Sequence, residues 1–349
     1  MLTRAELESA RFGLNVARAT IDEIDAGALA RELMKDRVDI AILRIPARSD
    51  PGIAALQALG LSPIHADTLV TYSCDLARHA AQALFNPSLQ IRSAEHDDAP
   101  GITELVQTVF AEYPNHYRAN PLLPREDIVA GYCEWALSHI GADNRTCWVA
   151  CVESRIAGLA CSAFDSRTGI CQGVLHAVSP DFARNRIYTD LIRFTQNTFR
   201  ERGFSALEIS TQVGNLRVQR VWVREGFTLG SAMDTYHINA LFGATAASPQ
   251  QFTLRAPDDG GADAGWLCAR FLEVIARADQ PKTGKPGKMV DCRASLLTEI
   301  ESGATYRGSV GWTRQRPGLS GQHVVCVLSD MRDAPVAWVS ATCASDSSS

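Results

Sequence analysis

The apolar positions change period several times along the chain, and the clearest run of changes lies between 93 and 242. Ile102, Leu105, Val106, Val109 and Phe110 fall at i, i+3, i+4, i+7 and i+8, which predicts one apolar helical face. A second helix is predicted from 124 to about 140, with Ile128, Tyr132, Trp135 and Ala136 in register. Three strand-like runs follow at 146–152, 156–164 and 170–178, separated by Glu153-Ser154-Arg155 and by 165–169 as tight turns. After Pro180 comes a helix carrying Ile187, Leu191, Phe194 and Phe199, closed by Gly203. A strand at 206–211, a helix at 215–225, Gly226 and strands near 227–242 complete the segment. The order ααβββαβαβ is that of an α+β domain with a mixed sheet, not a doubly wound one.

The flanking segments are read in the same way. Residues 1–92 predict a small α/β unit, with a helix at 26–35, a buried strand at 38–45, a short helix at 51–59 and a strand at 69–76. The run from Val38 to Leu76 echoes the run from Ala206 to Leu241: Gly60-Leu61 falls on Gly226-Phe227, and Thr71-Tyr72 on Thr235-Tyr236. The first copy shows no counterpart of the strand and helix at 170–203, so by this reading it holds no ligand and acts as a packing partner or substrate wall. Beyond a loop at 243–251, Leu267, Phe271, Val274, Ile275 and Ala278 predict an amphipathic helix. A Pro-, Gly- and Lys-rich loop follows at 280–288, then strand-like runs at 305–313, 323–329 and 336–343 and a polar tail that reads as disordered. The expected domains are 1–92, 93–242 and 250–343.

At 349 residues the chain is long enough for two or three domains. A net charge of −5 argues against nucleic acid as a partner. The sequence shows no apolar run long enough for a membrane span and no apolar signal core near Met1, so a cytoplasmic location is expected. The ten cysteines lack metal-ligand spacing and sit mostly among apolar residues, which predicts reduced core thiols and no metal site.

The chemistry concentrates at 173–194, where a strand, a short loop and a helix start follow one another. A helix start offers unpaired N–H groups and a positive dipole end, suited to a diphosphate. Arg184, Arg186 and Arg193 add charge there. The plainer reading is a solvated basic helix start.

Strand, Val178-x-Pro180, loop and helix, followed by Asn215, Val218, Trp222, Gly226 and Phe227, resemble the acetyl-CoA site of the GNAT superfamily. The leading segment, with its partial repeat, is similar to dTDP-fucosamine acetyltransferase-type two-part GNAT proteins, and the resemblance covers about 8–242. It implies an acetyl-CoA or other acyl-CoA co-substrate and a small-molecule amine acceptor. It implies that backbone groups around His176, Ala177 and Val178 hold the pantetheine arm and polarise the thioester carbonyl. The loop Ala183, Arg184, Asn185, Arg186, Ile187 and Tyr188 would wrap the pyrophosphate, and Asn215 would touch the pantetheine or order the strand beside it. The stretch 113–124 between the first two helices, with His116, Tyr117 and Arg118, resembles a substrate loop.

Two departures stand out. The pyrophosphate loop of such proteins usually reads (Q/R)-x-x-G-x-(G/A), whereas here neither glycine is present between Ala183 and Tyr188. The usual tyrosine that protonates the departing thiolate is Trp222, whose indole N–H is no acid at neutral pH. Loss of a general acid costs about 10²–10⁴-fold and slows such chemistry without forbidding it. The acceptor amine must lose a proton, and the candidate bases are His176, Glu208, His116 and His237, with Ser210 and Thr211 able to orient a water. No nucleophilic serine or cysteine stands in a G-x-S-x-G setting, so direct transfer is the simpler route.

The last hundred residues weakly resemble a hotdog-type acyl-thioester domain, with Asp263 and Glu273 as candidate acids; an accessory or dimerising module, and hence a homodimer, is the alternative. The sequence thus predicts an N-acyltransferase, with an amino-sugar nucleotide as favoured acceptor and an amino acid or carrier-bound intermediate as others. A catalytically degenerate GNAT that binds acyl-CoA or a protein partner, and a natural-product acyltransferase with a hotdog acyl-thioester domain, stay open beside it.

Overall fold

The computed structural model describes residues 1–48, 52–247, 250–277, 289–313 and 321–344. Ala278 of the predicted amphipathic helix, the loop expected at 280–288, Pro51 and the tail from 345 lie outside them. The chain opens with β1 (Thr3–Arg4), α1 (Glu6–Phe12), β2 (Val16–Thr20), α2 (Ala26–Lys35), β3 (Ile40–Pro46), α3 (Ile53–Ala58) and β4 (Ser62–Asp75). It continues through β5 (Gln90–Ser93), α4 (Ala99–Phe110), α5 (Arg125–Leu137), β6 (Arg145–Val152), β7 (Arg155–Asp165) and β8 (Ile170–Val178). Next come α6 (Ile187–Glu201), β9 (Ala206–Gln212), α7 (Leu216–Arg224) and β10 (Thr228–Asn239). The last elements are α8 (Ala244–Ala247), β11 (Gln250–Arg255), α9 (Ala264–Arg277), β12 (Met289–Leu296), β13 (Thr305–Trp312), β14 (Gly321–Ser329) and β15 (Pro335–Ala344). The class is α+β, as the periodicities predict.

Two compact units divide the chain: 1–66 with 119–124 and 234–349, and 67–118 with 125–233. Their limits fall inside β4 and β10, so each of these strands contributes to both.

In the second unit the strands run in the order β4-β9-β8-β7-β6-β5. Helices cover both faces. On one side Ile102, Leu105, Val106 and Phe110 of α4 and Cys133 and Ala136 of α5 pack on Val149, Leu159, Leu175 and Ala177. On the other, Ile187, Leu191, Ile192 and Phe199 of α6 and Trp222 of α7 pack on Val70, Tyr72, Leu207 and Ile209. Alternation along β8 and β9 explains the split, because neighbouring side chains on a strand point to opposite faces.

β4, a strand of the first sequence copy, pairs antiparallel with β9 from Leu69↔Gln212 to Asp75↔Ala206. In the first unit, β10 of the second copy lies beside β3, and Ala240, Leu241 and Phe242 continue it with backbone bonds to Asp39 and Val38. The two copies thus exchange their last strands.

One expectation is corrected here. A strand and helix do precede the first copy, as β8 and α6 precede the second: β2 and α2 lead into β3, with β2 parallel to β3 from Val16↔Ile40 to Thr20↔Arg44. The five-residue β2, interrupted by Arg18, is too short and polar to stand out as a periodic run.

The first unit also contains a smaller antiparallel sheet of order β11-β13-β14-β15-β12, with α9 packed on it through Leu267, Phe271 and Ile275. Among the described residues no helix is long and apolar enough to cross a membrane.

Candidate active site

The site forms in the second unit, where β8 and β9 part. They pair in parallel only from Ile170↔Ala206 to Gly173↔Ile209. The cause lies one residue further on. Cys161 faces Leu175 but Ser162 faces Gly173, so Val174 is an extra residue in β8, a bulge that bends the strand away.

Beyond the bulge, the free edge of β8 follows from its register. Ser179 N–H donates to Ala157 O at 2.8 Å, so 179, 177 and 175 direct their backbone groups at β7. His176 and Val178 therefore turn their N–H and C=O groups to the other edge, where no strand among the described residues takes them. Ala177 shares the stretch, but its own backbone groups are spent on β7.

The chain then enters α6. Ser179 caps the short turn at Pro180–Phe182 by accepting from Asp181 N. Arg184 and Arg186 adopt left-handed conformations, with φ of 71° and 59°. Such backbone costs a side-chain-bearing residue about 1–3 kcal/mol and is the geometry for which glycine is usual. Arg186 is the residue that caps α6, and its side chain makes no capping hydrogen bond to the first turn. Arg184, Asn185 and Arg186 are exposed, while Ile187 is buried in the core.

A segment laid along α6 holds part of this charge. Phe85 N–H and Asn86 N–H donate to the fully buried Asp190 carboxylate at 2.7 and 3.2 Å. The Asn86 amide donates to Asn185 O, and Gln82 and Asn197 bond reciprocally further down the helix. Two guanidinium groups lie over the Phe85 ring, that of Arg186 at 4.3 Å and that of Arg193 at 4.0 Å from its centroid. Arg193 also pairs with Glu225 at 2.7 Å and donates to Ala83 O, so its charge is neutralised locally.

Three of the sequence-predicted residues meet beside the opening. Trp222, 3% exposed, donates its indole N–H to the Tyr188 hydroxyl at 2.9 Å. The Tyr188 ring stands edge-on to the His176 imidazole at a centroid distance of 5.9 Å. Burial pulls the His176 pKa down to about 4, and its Nε2 is enclosed with no hydrogen-bond partner among the described residues, so the neutral imidazole prevails at neutral pH. Burial raises the Tyr188 phenol well above its ordinary value, and the Trp222 bond opposes part of that shift.

A polar group lines the β9 side. Asn215 donates to Thr211 Oγ1 at 3.0 Å and reaches the Tyr113 hydroxyl at 3.5 Å. Tyr113 in turn donates to Gln212 Oε1 at 2.6 Å. Tyr113 opens the 113–124 stretch that resembles a substrate loop, whereas Gln212 carries no signal of its own in the sequence. Glu208 pairs with Gln172 in the closed part of the β8–β9 ladder, and alternation with Leu207 and Ile209 sends its side chain to the face opposite α6.

The remaining predicted residues lie elsewhere. His116, Tyr117 and Arg118 form a short 3-10 turn held by Asn115, whose side-chain Oδ1 accepts from Tyr117 N–H; Arg118 is anchored to Ala111 O and Glu112. His237 belongs to the first unit, fully buried, with its Nδ1 3.2 Å from the Asn120 amide, and burial draws its pKa down to about 3. All ten cysteines are free. Burial lifts the Cys171 thiol to about 12, and Cys161 is raised by its hydrogen bond with Cys147 and by burial. Among the described residues no three His, Cys, Asp or Glu side chains gather as a metal site.

Residues 103–227 match the model of the acetyltransferase (GNAT) family. No curated protein matches the chain. Among solved structures, a GCN5-related N-acetyltransferase from Sphaerobacter thermophilus aligns at 14% identity and a TM-score of 0.41, over 57% of this chain; the chain spans 59% of that protein's length. A tandem GNAT protein from the clavulanic acid biosynthesis pathway aligns at 14% identity and a TM-score of 0.42, over 64% of this chain and 75% of that one. The PaiA N-acetyltransferase of Thermoplasma acidophilum, solved with coenzyme A, aligns at 14% identity and a TM-score of 0.31, over 43% of this chain and 98% of that one. Over residues 103–227, then, the chain is similar to the acetyltransferase (GNAT) family, and the mixed sheet around β8 and β9 is GNAT-like.

Proposed function

We propose that the chain is an N-acyltransferase, moving an acetyl or longer acyl group from acyl-CoA to the amine of a small substrate by direct attack. The observation that carries this reading is the parting of β8 from β9 after Gly173↔Ile209. It leaves the backbone of His176 and Val178 free to pair with the amides of a pantetheine arm and to polarise a thioester carbonyl. The uncapped start of α6 and the exposed Arg184 suit the coenzyme's diphosphate. Asn215 fixes Thr211 and Tyr113 along the other wall. Among the candidate bases, His176 is the one whose ring stands beside the opening, against Tyr188. The raised thiols of Cys161 and Cys171 favour direct transfer over a covalent cysteine intermediate.

Incubation with acetyl-CoA and a panel of amines, following free thiol, tests the reading. An amino-sugar nucleotide is the favoured acceptor, with an amino acid or a carrier-bound intermediate next; a cytoplasmic setting and a homodimer fit the same picture. Release of thiol with one acceptor class supports transfer. Absence of both thiol release and CoA binding removes it.

A second reading, a binding module without turnover, is favoured by one observation. Tyr188 and Phe85 set aromatic rings where bare glycine backbone is usual or beside it. Micromolar CoA binding without thiol release would select it. For the last hundred residues, the order β11-β13-β14-β15-β12 with a single helix between β11 and β12 supports the hotdog-like reading. Its candidate acids have structural work: Asp263 accepts from Trp266 N–H at the start of α9, and Glu273 pairs with Arg270 on the surface.

A further inference from the structure

Three phenols stand close to the parted strands, and they differ in where their protons go. Tyr72 donates to Gln219 Oε1 at 3.2 Å, and Tyr113 donates to Gln212 Oε1 at 2.6 Å. Tyr188 does the opposite. Its oxygen accepts from the Trp222 indole, and no described residue accepts its proton. An indole N–H can only donate, so this bond fixes the oxygen while leaving the O–H free to turn toward a ligand. The ring itself is braced against His176, the residue whose backbone edges the opening.

We propose that Tyr188 is the proton donor to the departing thiolate, with Trp222 as the positioning residue that holds it. This rests on the acyl-transfer reading and adds the acid that reading lacks. The two departures from the GNAT pattern meet in one contact. Trp222 stands where that pattern has a tyrosine, and Tyr188 stands on α6 where it has a glycine or alanine, within hydrogen-bond reach of that same tryptophan.

The step balances simply. The neutral amine nitrogen bonds to the thioester carbonyl carbon, and the resulting tetrahedral species collapses with cleavage of the C–S bond. The electron pair leaves with sulfur, which takes the Tyr188 proton and departs as a thiol. The phenolate oxygen keeps its Trp222 N–H bond, and the proton shed by the amine nitrogen returns to it through water. Because burial raises the phenol above its usual range, Tyr188 stays protonated, and so competent to donate, throughout neutral pH.

The test uses the full chain, acetyl-CoA and the amine that gives the fastest thiol release. Tyr188→Phe should lower kcat about 10²-fold while the acetyl-CoA KM stays within about twofold, the mark of an interaction made in the transition state. Adding Trp222→Tyr to Tyr188→Phe should recover at least about tenfold, by placing a phenol on α7. Circular dichroism confirms that each variant is folded. An unchanged kcat in Tyr188→Phe overturns the assignment alone, as does loss of CoA binding together with kcat. A wild-type chain that neither releases thiol nor binds CoA overturns the acyl-transfer reading, and the assignment with it.

Discussion

Gly173 and His176 touch across the bulge in β8: a Cβ on Gly173 would come 2.8 Å from the imidazole Cε1 and 3.7 Å from Nε2. Any side chain there displaces the ring, because no real Cβ approaches so closely. Gly173→Ala therefore shifts the His176 ring and disturbs its contact with Tyr188. The displaced atom is the end of a side chain and Ile209 Cβ stays at an ordinary 3.7 Å, so the stability cost is only about 1 kcal/mol. Urea unfolding should show that small loss, while thiol release falls about tenfold or more. Turnover equal to wild type would mean that the His176 ring has no part in the site.

The Arg193–Glu225 pair ties α6 to the end of α7, at 2.7 Å with both side chains largely buried, at 15% and 7% exposure. Removing one member of a buried pair leaves the other charge unsolvated, which costs about 3–5 kcal/mol. Glu225→Ala should lose an amount near the lower end, since Arg193 keeps its bond to Ala83 O and its contact with Phe85. Chemical denaturation measures it. A loss under about 1 kcal/mol would show that water reaches the guanidinium.

How much of this was legible in the sequence depends on distance along the chain. The α4 face could be read from Ile102 to Phe110 because one helix contains its own periodicity. The β8–α6 junction could be read because Val178, Pro180 and the basic loop are consecutive. The exchange of β4 and β10 could not, since a strand's partner and register follow from non-local packing that a single sequence does not encode. The bulge at Val174, which opens the site, has no marker of its own; Gly173 beside it is the one residue that hints at a close approach. Tyr188 and Trp222 were both noted, yet for separate reasons. Their bond spans 34 positions and two helices, so the contact between them is visible only in three dimensions. The segment carrying Phe85 lacks any period, and its anchor, Asp190, reads as an ordinary acid in a first helical turn.

Acid should weaken the fold through its buried histidines. The His176 pKa is near 4 in the folded chain against an ordinary 6.5, and that of His237 is near 3. Between pH 6.5 and these values the unfolded chain binds the more protons, so stability rises with pH there and falls as pH drops through the same window. Above 6.5 both states are neutral and the contribution is flat. For His176 the full change is on the order of 3 kcal/mol. Unfolding midpoints measured from pH 7 to pH 4.5 should fall for the wild type and fall less for His176→Gln and His237→Gln. Parallel curves for all three would place the acid sensitivity in other groups.

Asp190 offers the clearest handle on the segment laid along α6. Its buried carboxylate accepts the N–H groups of Phe85 and Asn86 and the Asn86 amide at 2.6 Å, so three donors depend on one side chain. Asp190→Ala strands those donors, at about 1–3 kcal/mol for each one left buried and unpaired, unless the segment lifts and hands them to water. Lifting is the cheaper course here, since Phe85 is already 42% exposed. Hydrogen exchange at 82–86 should then accelerate by at least about tenfold while the strands β6 to β9 keep their protection. Lifting also takes the Phe85 ring off Arg186, so Asp190→Ala should bind CoA more tightly if that ring competes with the coenzyme for the guanidinium. Faster exchange with unchanged CoA affinity would place the segment outside the coenzyme's path. Unchanged exchange would show that Gln82, Asn197 and the guanidinium groups hold the segment without Asp190.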